Sequence, residues 1–185
     1  MAHENPLDSP GGDRHKWEKV VISGNKWDTV PKLFVSSFSR SLDAKGRLML
    51  PPEYREGLEA GALAGGTGSG SFWLTGFYGR LVAYLPQNWE EIVEQLNKIS
   101  FSSKPLSHFK SKIIGLAQEL TPDQQGRVRI PQPLMREAGL VKDVLLVGLY
   151  GRFEIWDQKR YDELMIDEES VAAELANTGL TIPLG

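Results

Sequence analysis

Apolar and polar positions alternate twice along the chain, each time ahead of the same kind of turn. The stretch FVSSFSRSLD, which begins at Phe34, has the two-residue period of a half-buried strand, and RLMLP follows it after a turn. The same order returns in LAQEL, TPDQQG and RVRIP, so that Asp123 stands 80 positions after Asp43. Each pattern predicts a β-hairpin that is closed by a glycine-containing turn.

Each predicted hairpin is followed by the same three elements. A short helix begins near proline, in PPEYREGLEAGA and again in PQPLMREAG, and two strands then flank a Tyr-Gly turn at Tyr78 or at Tyr150. The chain from residue 34 to residue 157 therefore predicts two copies of a ββαββ unit of about 50 residues. A unit that short is marginally stable alone, so we expect the two copies to share one core in a pseudo-twofold α+β module.

The repeats divide the chain into five segments. The segment between them predicts a helix, because Trp89, Ile92, Val93, Leu96 and Ile99 fall on one helical stripe. The start of the chain has no sustained periodicity, and the glycine-rich stretch at 61–70 lacks the ending of a phosphate-binding P-loop, so a poorly ordered extension and a flexible loop are expected. The predicted segments are an extension at 1–32, a first repeat at 33–85, a helical linker at 86–114, a second repeat at 115–157, and an acidic C-terminal helix and tail at 158–185.

Composition favours a folded protein that needs no metal, cofactor or small-molecule substrate. The 185 residues are 41% hydrophobic and 24% charged, close to the average of globular proteins. There is no cysteine, and His3, His15 and His108 have no ligand-like spacing. No apolar run is long enough for a membrane span and no signal peptide opens the sequence, so we expect a soluble, cytoplasmic protein without a membrane partner.

The net charge of −3 conceals an uneven distribution of charge. Acidic residues concentrate between Asp157 and Ser170, whereas each turn carries a local surplus of cations. A cationic patch steers association with a polyanion even when the whole chain is slightly acidic. A two-stranded ribbon is narrow enough to enter the major groove of DNA, where arginine suits phosphates and guanine edges. The candidate DNA-binding residues are Arg47, Arg127, Lys45, Arg129 and Arg40.

A purely structural interpretation of the turns stays open. Asp43 and Asp123 can accept hydrogen bonds from the N–H groups just ahead of them, and Gly46 and Gly126 supply a positive φ. The arginine of each turn can return a salt bridge to its aspartate. On this interpretation the motif only closes the turn, and the surplus of lysine and arginine has no explanation.

The stretches SLDAKGRLMLPPEYRE and ELTPDQQGRVRIPQPLMREAGLVKDVLLVGLYGRFEIWD resemble the two halves of the MraZ family, a tandem branch of the AbrB/SpoVT superfamily, over about residues 34–165. The resemblance implies two tandem swapped-hairpin units in one β-barrel-like module with peripheral helices. It also implies a transcription factor of the bacterial nucleoid, mainly a repressor of the division and cell-wall gene cluster. Such a factor would bind G-rich direct repeats in double-stranded DNA at its own promoter, as a ring-like homo-oligomer.

The family motif also implies roles for single residues. The arginines of the two turns are expected to contact DNA, and the aspartates and glycines to orient the loops. Lys45 matches a frequently basic position, whereas the second turn has Gln125 there, so we expect the first hairpin to contribute more. The extension at 1–32 and the length of the glycine-rich loop depart from the family pattern.

An interaction module is the main alternative function. Single swapped-hairpin units serve as antitoxins and assembly domains, and the acidic stretch that holds Tyr161, Leu164 and Met165 at helical spacing could bind a protein. An enzyme is not expected: paired aspartates suggest an acid protease, but Arg47 and Arg127 would keep both carboxylates ionised. Salt dependence separates the two remaining interpretations, because contacts to phosphates release counterions and hydrophobic protein contacts do not.

Overall fold

The structure of the protein, a computed structural model, describes residues 34–65, 70–98 and 103–178. The predicted extension at 1–32, the middle of the glycine-rich loop and residues 179–185 lie outside this described part. All described residues belong to one compact unit, Lys32–Gly185. None of the helices in that part has both the length and the apolar character that a membrane span requires.

Each repeat folds into the predicted order of two strands, a helix and two further strands. The ββαββ prediction is therefore confirmed for both halves of the chain. The first repeat consists of β1 (Ser37–Ser41), β2 (Arg47–Met49), α1 (Pro52–Gly65), β3 (Phe72–Phe77) and β4 (Arg80–Tyr84), and the second of β5 (Gln118–Leu120), β6 (Arg127–Arg129), α4 (Gln132–Ala138), β7 (Asp143–Gly148) and β8 (Arg152–Asp157).

In the described part of the chain, four helices lie outside the repeats. Helices α2 (Pro86–Lys98) and α3 (Lys104–Leu116) connect β4 to β5, as the pattern of the linker predicts. Helices α5 (Gln158–Asp162) and α6 (Glu168–Thr178) follow β8. The described side chains of α6 are nearly all exposed, so this acidic helix buries little surface against the rest of the molecule.

The apolar stripe of α2 packs on the larger sheet. Trp89 is buried and stacks on Trp73 of β3, with the ring centroids 5.6 Å apart. Leu96 is also buried, and Ile92 and Val93 pack against the same cluster. The predicted stripe is confirmed over the described residues, which do not include residue 99.

Helix α1 is longer than the sequence predicts. It runs to Gly65, so the first half of the stretch at 61–70 is helical and not a loop. Ala62 is buried, and a β-carbon on Gly61 would lie only 2.6 Å from Leu85 Cδ2. The loop prediction is wrong there because close packing through small residues outweighs the low helix propensity of glycine.

The strands of the described residues form two antiparallel sheets. The larger sheet has the order β1-β7-β8-β4-β3-β5, and the smaller one is a ribbon of β2 and β6. Strand β1 of the first repeat pairs with β7 of the second, and β5 of the second repeat pairs with β3 of the first. The strands of the two repeats are therefore interleaved, which explains how two short units share one core.

The predicted hairpins are wrong in their pairing. The turn at 43–46 joins β1 to β2, but these strands lie in different sheets. Main-chain groups on either side of the turn bond to the other repeat: the Leu42 N–H donates to the Lys142 carbonyl, and the Leu50 N–H donates to the Gly126 carbonyl. The described strands form an open sheet beside a ribbon, and not the closed, barrel-like sheet that the resemblance implies.

The inner face of the ribbon forms part of the core. Leu48 and Val128 stand opposite each other in the β2–β6 register, and both are buried. Tyr54 of α1 is fully buried in the same cluster, with its ring 5.0 Å from that of Phe153 on β8. Because successive side chains alternate between the two faces of a strand, burial of these residues turns their neighbours outward.

Candidate nucleic-acid interface

An aspartate organises the turn between β1 and β2. Asp43 Oδ1 accepts hydrogen bonds from the Lys45 N–H at 2.8 Å and the Arg47 N–H at 2.9 Å, and Oδ2 accepts from Arg47 Nε at 2.6 Å. The Gly46 N–H donates to the Asp43 carbonyl at 2.9 Å, and Gly46 has a φ of +70°, where a side chain would be strained. The carboxylate therefore fixes both the path of the turn and the direction of its arginine.

The turn between β5 and β6 repeats this arrangement. Asp123 Oδ1 accepts from the Gln125 and Arg127 N–H groups, each at 2.9 Å, and Oδ2 accepts from Arg127 Nε at 2.9 Å. Gly126 has a φ of +76°. These are the contacts that the structural interpretation of the motif anticipates, and they place both arginines in defined positions beside the ribbon.

The hydrogen bonds of the two turns keep their carboxylates ionised. The pKa of Asp43 is lowered to about 2, and the largest cause is the hydrogen bond from the main-chain N–H of Arg47. Desolvation of the carboxyl opposes this effect, and the guanidinium of Arg47 and the N–H of Lys45 add to it. The equivalent N–H of Arg127 and its side chain lower the pKa of Asp123. Proton sharing between carboxylates, on which acid proteases depend, has no basis in these two groups.

We expect the Asp43 carboxyl to titrate near pH 2, and not near the ordinary value of 3.8. Because the folded-state pKa is lowered, this group stabilises the fold above pH 3.8, and the contribution is lost as the pH falls through about 2. The side-chain carboxyl ¹³C shift of Asp43, followed against pH, measures this value. Arg47→Met is the control: part of the lowering should persist, since the main-chain N–H of Arg47 is its largest single cause. An ordinary pKa in the wild type would contradict the geometry of the turn.

Pairing of β2 with β6 brings the predicted arginines together. In the register, Arg47 stands opposite Arg129, and Met49 stands opposite Arg127. Residues directly opposite in an antiparallel pair project from the same face, and the buried residues between them occupy the other face. The outer face of this ribbon, which we call the cationic ribbon, therefore presents Arg47, Arg127, Arg129 and the 42% exposed side chain of Met49.

The facing pair of arginines argues against a purely structural role. Like charges directly opposite each other on two strands are destabilising. Asp43 neutralises Arg47 through the ion pair at 2.6 Å, whereas Arg129 has no ion pair among the described residues. An anion placed over the ribbon would relieve the repulsion between the two guanidinium groups, because it attracts both of them.

The two ends of the cationic ribbon differ in charge. The Gly46 carbonyl accepts from the Ile130 N–H, so the first turn with Lys45 lies beside the end of β6 that carries Arg129. This end combines Lys45, Arg47 and Arg129, whereas the other end has Gln125 and Met49 around Arg127. The structure thus adds a cation of the second repeat to the end that the sequence already predicts to be the stronger one.

Arg40 is the one candidate that the structure places away from the ribbon. It lies on β1, an edge strand of the larger sheet, and stands opposite Val144 of β7. Its Nη1 donates to the Ser39 carbonyl at 2.9 Å, and its guanidinium lies over the Phe38 ring at 5.5 Å from the centroid. Local contacts account for this arginine, so it is a weaker candidate for a DNA contact than the ribbon residues.

Sequence reasoning missed Met49 and Arg55. Met49 enters the cationic ribbon only through the register of β2 with β6, which no motif encodes. Arg55, in the first turn of α1, packs on Gly126 of the other repeat. Superposing the two halves at the offset of 80 residues would have drawn attention to both, because Met49 aligns with Arg129 and Arg55 aligns with Met135.

The fold and the site together define an α+β protein of two interleaved repeats with a cationic two-stranded ribbon at its surface. Residues 33–111 and 113–180 match the family model described as "MraZ protein, putative antitoxin-like". The chain belongs to the MraZ family. The two matched segments cover both repeats, together with the helices that follow each of them.

Relatives that match most of the chain carry the name Transcriptional regulator MraZ. The protein of Nitratidesulfovibrio vulgaris (strain Hildenborough) is 43% identical over 149 residues, which are 80% of this chain and 97% of the relative. That of Maridesulfovibrio salexigens is 41% identical over 145 residues, 78% and 94% of the two chains. That of Acetivibrio thermocellus is 34% identical over 153 residues, 80% and 100% of the two chains.

Proposed function

We propose that this protein is a DNA-binding transcriptional regulator and that the cationic ribbon is the part that contacts DNA. The observation that carries the proposal is the placement of Arg47, Arg127 and Arg129 on one face of a two-stranded ribbon. The name of the relatives supports the regulatory role. The interleaved strands are, on this proposal, the swapped-hairpin arrangement of the superfamily.

The dimensions of the ribbon suit the major groove. Two paired strands lie about 4.8 Å apart, and the groove is about 12 Å wide, so a ribbon with its side chains can enter. Arginine binds guanine O6 and N7 through two parallel hydrogen bonds, which fits G-rich sites. The proposed targets are G-rich direct repeats at the promoter of the protein's own operon, and the proposed effect is mainly repression of the division and cell-wall genes.

The aspartate of each turn is compatible with this role. It holds Arg47 or Arg127 through Nε, so the direction of the side chain is set before DNA arrives. Fixing a side chain in advance lowers the entropic cost of binding. The same arginine side chain can therefore both close its turn and contact DNA. We propose that Asp43, Gly46, Asp123 and Gly126 orient the loops so that the arginines face the DNA.

Several copies are proposed to act together. Each protomer offers only a few cations, and the whole chain has a net charge of −3, so one ribbon is expected to bind weakly. Copies joined in a ring-like homo-oligomer would bind successive direct repeats at high effective concentration. This would associate the protein with the nucleoid and make the spacing of the repeats part of its specificity.

A protein-interaction module is the second candidate function. Leu164, Met165 and Ile166 are 51%, 93% and 78% exposed between helices α5 and α6. Three consecutive exposed apolar residues ahead of an acidic helix are typical of a protein contact. The antitoxin-like description of the family agrees with such a role.

Salt-titrated fluorescence anisotropy with duplex DNA from upstream of the protein's own operon tests the DNA-binding proposal. Each phosphate that a cation of the protein neutralises would add about −0.9 to the log–log slope per bound protomer, so we expect affinity to fall as the salt concentration rises. We expect binding of this duplex to exceed binding of a scrambled one, and an array of repeats to bind more tightly than one repeat. Salt-independent binding, or equal binding of both duplexes, would favour the protein-interaction module.

A further inference from the structure

Arg55 is a cation outside the repeated motif that lies against the second turn. It belongs to the first turn of α1 in the first repeat, but its side chain covers Gly126 of the second repeat. A β-carbon built on Gly126 would lie 2.5 Å from Arg55 Cδ and 2.9 Å from Arg55 Nε. Arg55 therefore packs directly on the backbone of the turn that orients Arg127.

Arg55 has no acidic partner in the described part of the chain. Its Nε is buried and makes no hydrogen bond there. Glu59 and Asp123 line the same groove, of about 470 Å³, but neither forms an ion pair with Arg55. Asp123 Oδ2 already accepts a hydrogen bond from Arg127 Nε at 2.9 Å and lies 2.8 Å from Arg127 Nη2 in an ion pair. A buried donor without a partner is unfavourable, so packing alone does not explain an arginine at this position.

The other repeat shows what packing over the turn requires. Met135 stands 80 positions after Arg55 and lies against Gly46, with its Sδ 3.2 Å from the position of a β-carbon there. An uncharged methionine thus fills the equivalent place over the first turn. At another position the first turn carries the cation and the second does not, because Lys45 aligns with Gln125. The turn without the lysine is the one that an arginine covers.

We propose that Arg55 binds a DNA phosphate beside the second turn and takes there the role that Lys45 has at the first turn. This inference rests on the proposed function of the cationic ribbon. The guanidinium group suits the task because its planar donors match two phosphate oxygens. Such a contact adds affinity and sets orientation without reading sequence. With Arg55 beside Arg127, each end of the ribbon would hold at least two cations.

Anisotropy titrations with the operon duplex and a scrambled duplex, over a range of KCl concentrations, test this contact. Arg55→Met supplies the residue that packs over the other turn, and Lys98→Met removes an exposed positive charge at the end of α2 as the matched control. Arg55→Met should weaken binding to both duplexes by a similar factor of about ten, and should reduce the log–log slope by about 0.9 per bound protomer. Arg55→Lys should keep the slope. Circular dichroism of each variant establishes that it is folded.

The outcomes distinguish this contact from the function on which it rests. If the wild type does not bind the duplex, the proposed function and the phosphate contact both fail. If the wild type binds with a steep slope and folded Arg55→Met shares its slope and affinity, only the role of Arg55 is overturned. If Arg55→Met fails to fold, Arg55→Lys decides: a reduced slope in that charge-retaining variant overturns the phosphate contact. A loss confined to the operon duplex would also overturn it, because a phosphate contact does not discriminate between sequences.

Discussion

Replacing Arg47 with alanine is expected to weaken binding to the operon duplex by roughly 10- to 100-fold. A charge-assisted hydrogen bond contributes about 1.5–3 kcal/mol, and tenfold in affinity corresponds to about 1.4 kcal/mol. Arg47 also belongs to the more cationic end of the ribbon, beside Lys45 and opposite Arg129. Arg127→Ala should have a smaller effect, because its end of the ribbon has Gln125 and Met49 in the equivalent places. Anisotropy at constant salt measures both affinities.

The control for this prediction is Lys98→Ala, which removes one exposed positive charge from the end of α2. We expect its affinity to stay within about twofold of the wild type, because surface charges away from the contact are screened. Circular dichroism has to show that Arg47→Ala is folded, since the same side chain closes the turn. If the folded Arg47 variant binds like the wild type, the arginine only closes the turn.

Replacing Tyr54 with alanine is expected to lower the free energy of unfolding by about 3–5 kcal/mol, as for other large aromatic residues in cores. Tyr54 is fully buried, and its ring packs on three phenylalanines, with centroids 5.4 Å from Phe34, 5.3 Å from Phe38 and 5.0 Å from Phe153. The cavity would open in the shared core, between phenylalanines of the first repeat and Phe153 of the second. Thermal unfolding should show a decrease in Tm of roughly 6–20 °C.

Tyr54→Phe distinguishes the contribution of the ring to stability from that of the hydroxyl group. The Tyr54 hydroxyl donates to the Ser36 carbonyl at 2.9 Å, and burial raises the pKa of this phenol well above its ordinary value, so the group stays a donor at neutral pH. Loss of that hydrogen bond should cost about 1 kcal/mol. If Tyr54→Ala and Tyr54→Phe lowered the free energy of unfolding equally, the ring would add nothing to the stability of the core, which would contradict its buried position.

The order of the elements was predictable from the sequence because it depends on local signals. Alternating strands, prolines at the starts of helices and glycines in the turns occur twice at a fixed offset, and the structure confirms the two ββαββ units. The roles of Asp43 and Gly46 in the turn were equally predictable, since all their contacts in the turn lie within residues 43–47. Local chemistry is readable in one sequence when the interacting groups are neighbours in the chain.

The pairing of the strands was not predictable in this way. Strand β2 pairs with β6, which is 80 residues away, and the local pattern equally fits a hairpin of β1 with β2. The same limitation hid the facing pair of Arg47 and Arg129, because that pair exists only through the register between repeats. It also hid the helical start of the stretch at 61–70, where contact of Gly61 with Leu85 decides the outcome.

The arginines that close the turns are also residues that are proposed to contact DNA. The carboxylate of Asp43 holds Arg47 at 2.6 Å, so removal of the aspartate would free the arginine and also loosen the turn. The outer face of the ribbon is different, because Arg129 and Met49 take no part in closing either turn. Tests at these positions therefore report on the surface of the ribbon and not on the turn.

Photocrosslinking from the cationic ribbon tests the central claim most directly. Met49 is 42% exposed and stands opposite Arg127 in the ribbon, and Met165, which is 93% exposed ahead of α6, is the matched position outside the ribbon. Each would be replaced in turn by a photoreactive phenylalanine analogue and irradiated with labelled operon duplex. A crosslink to DNA from position 49 and none from position 165 is the predicted result. Crosslinking from position 165 alone, or from neither position while the protein is bound to the duplex, would contradict the account.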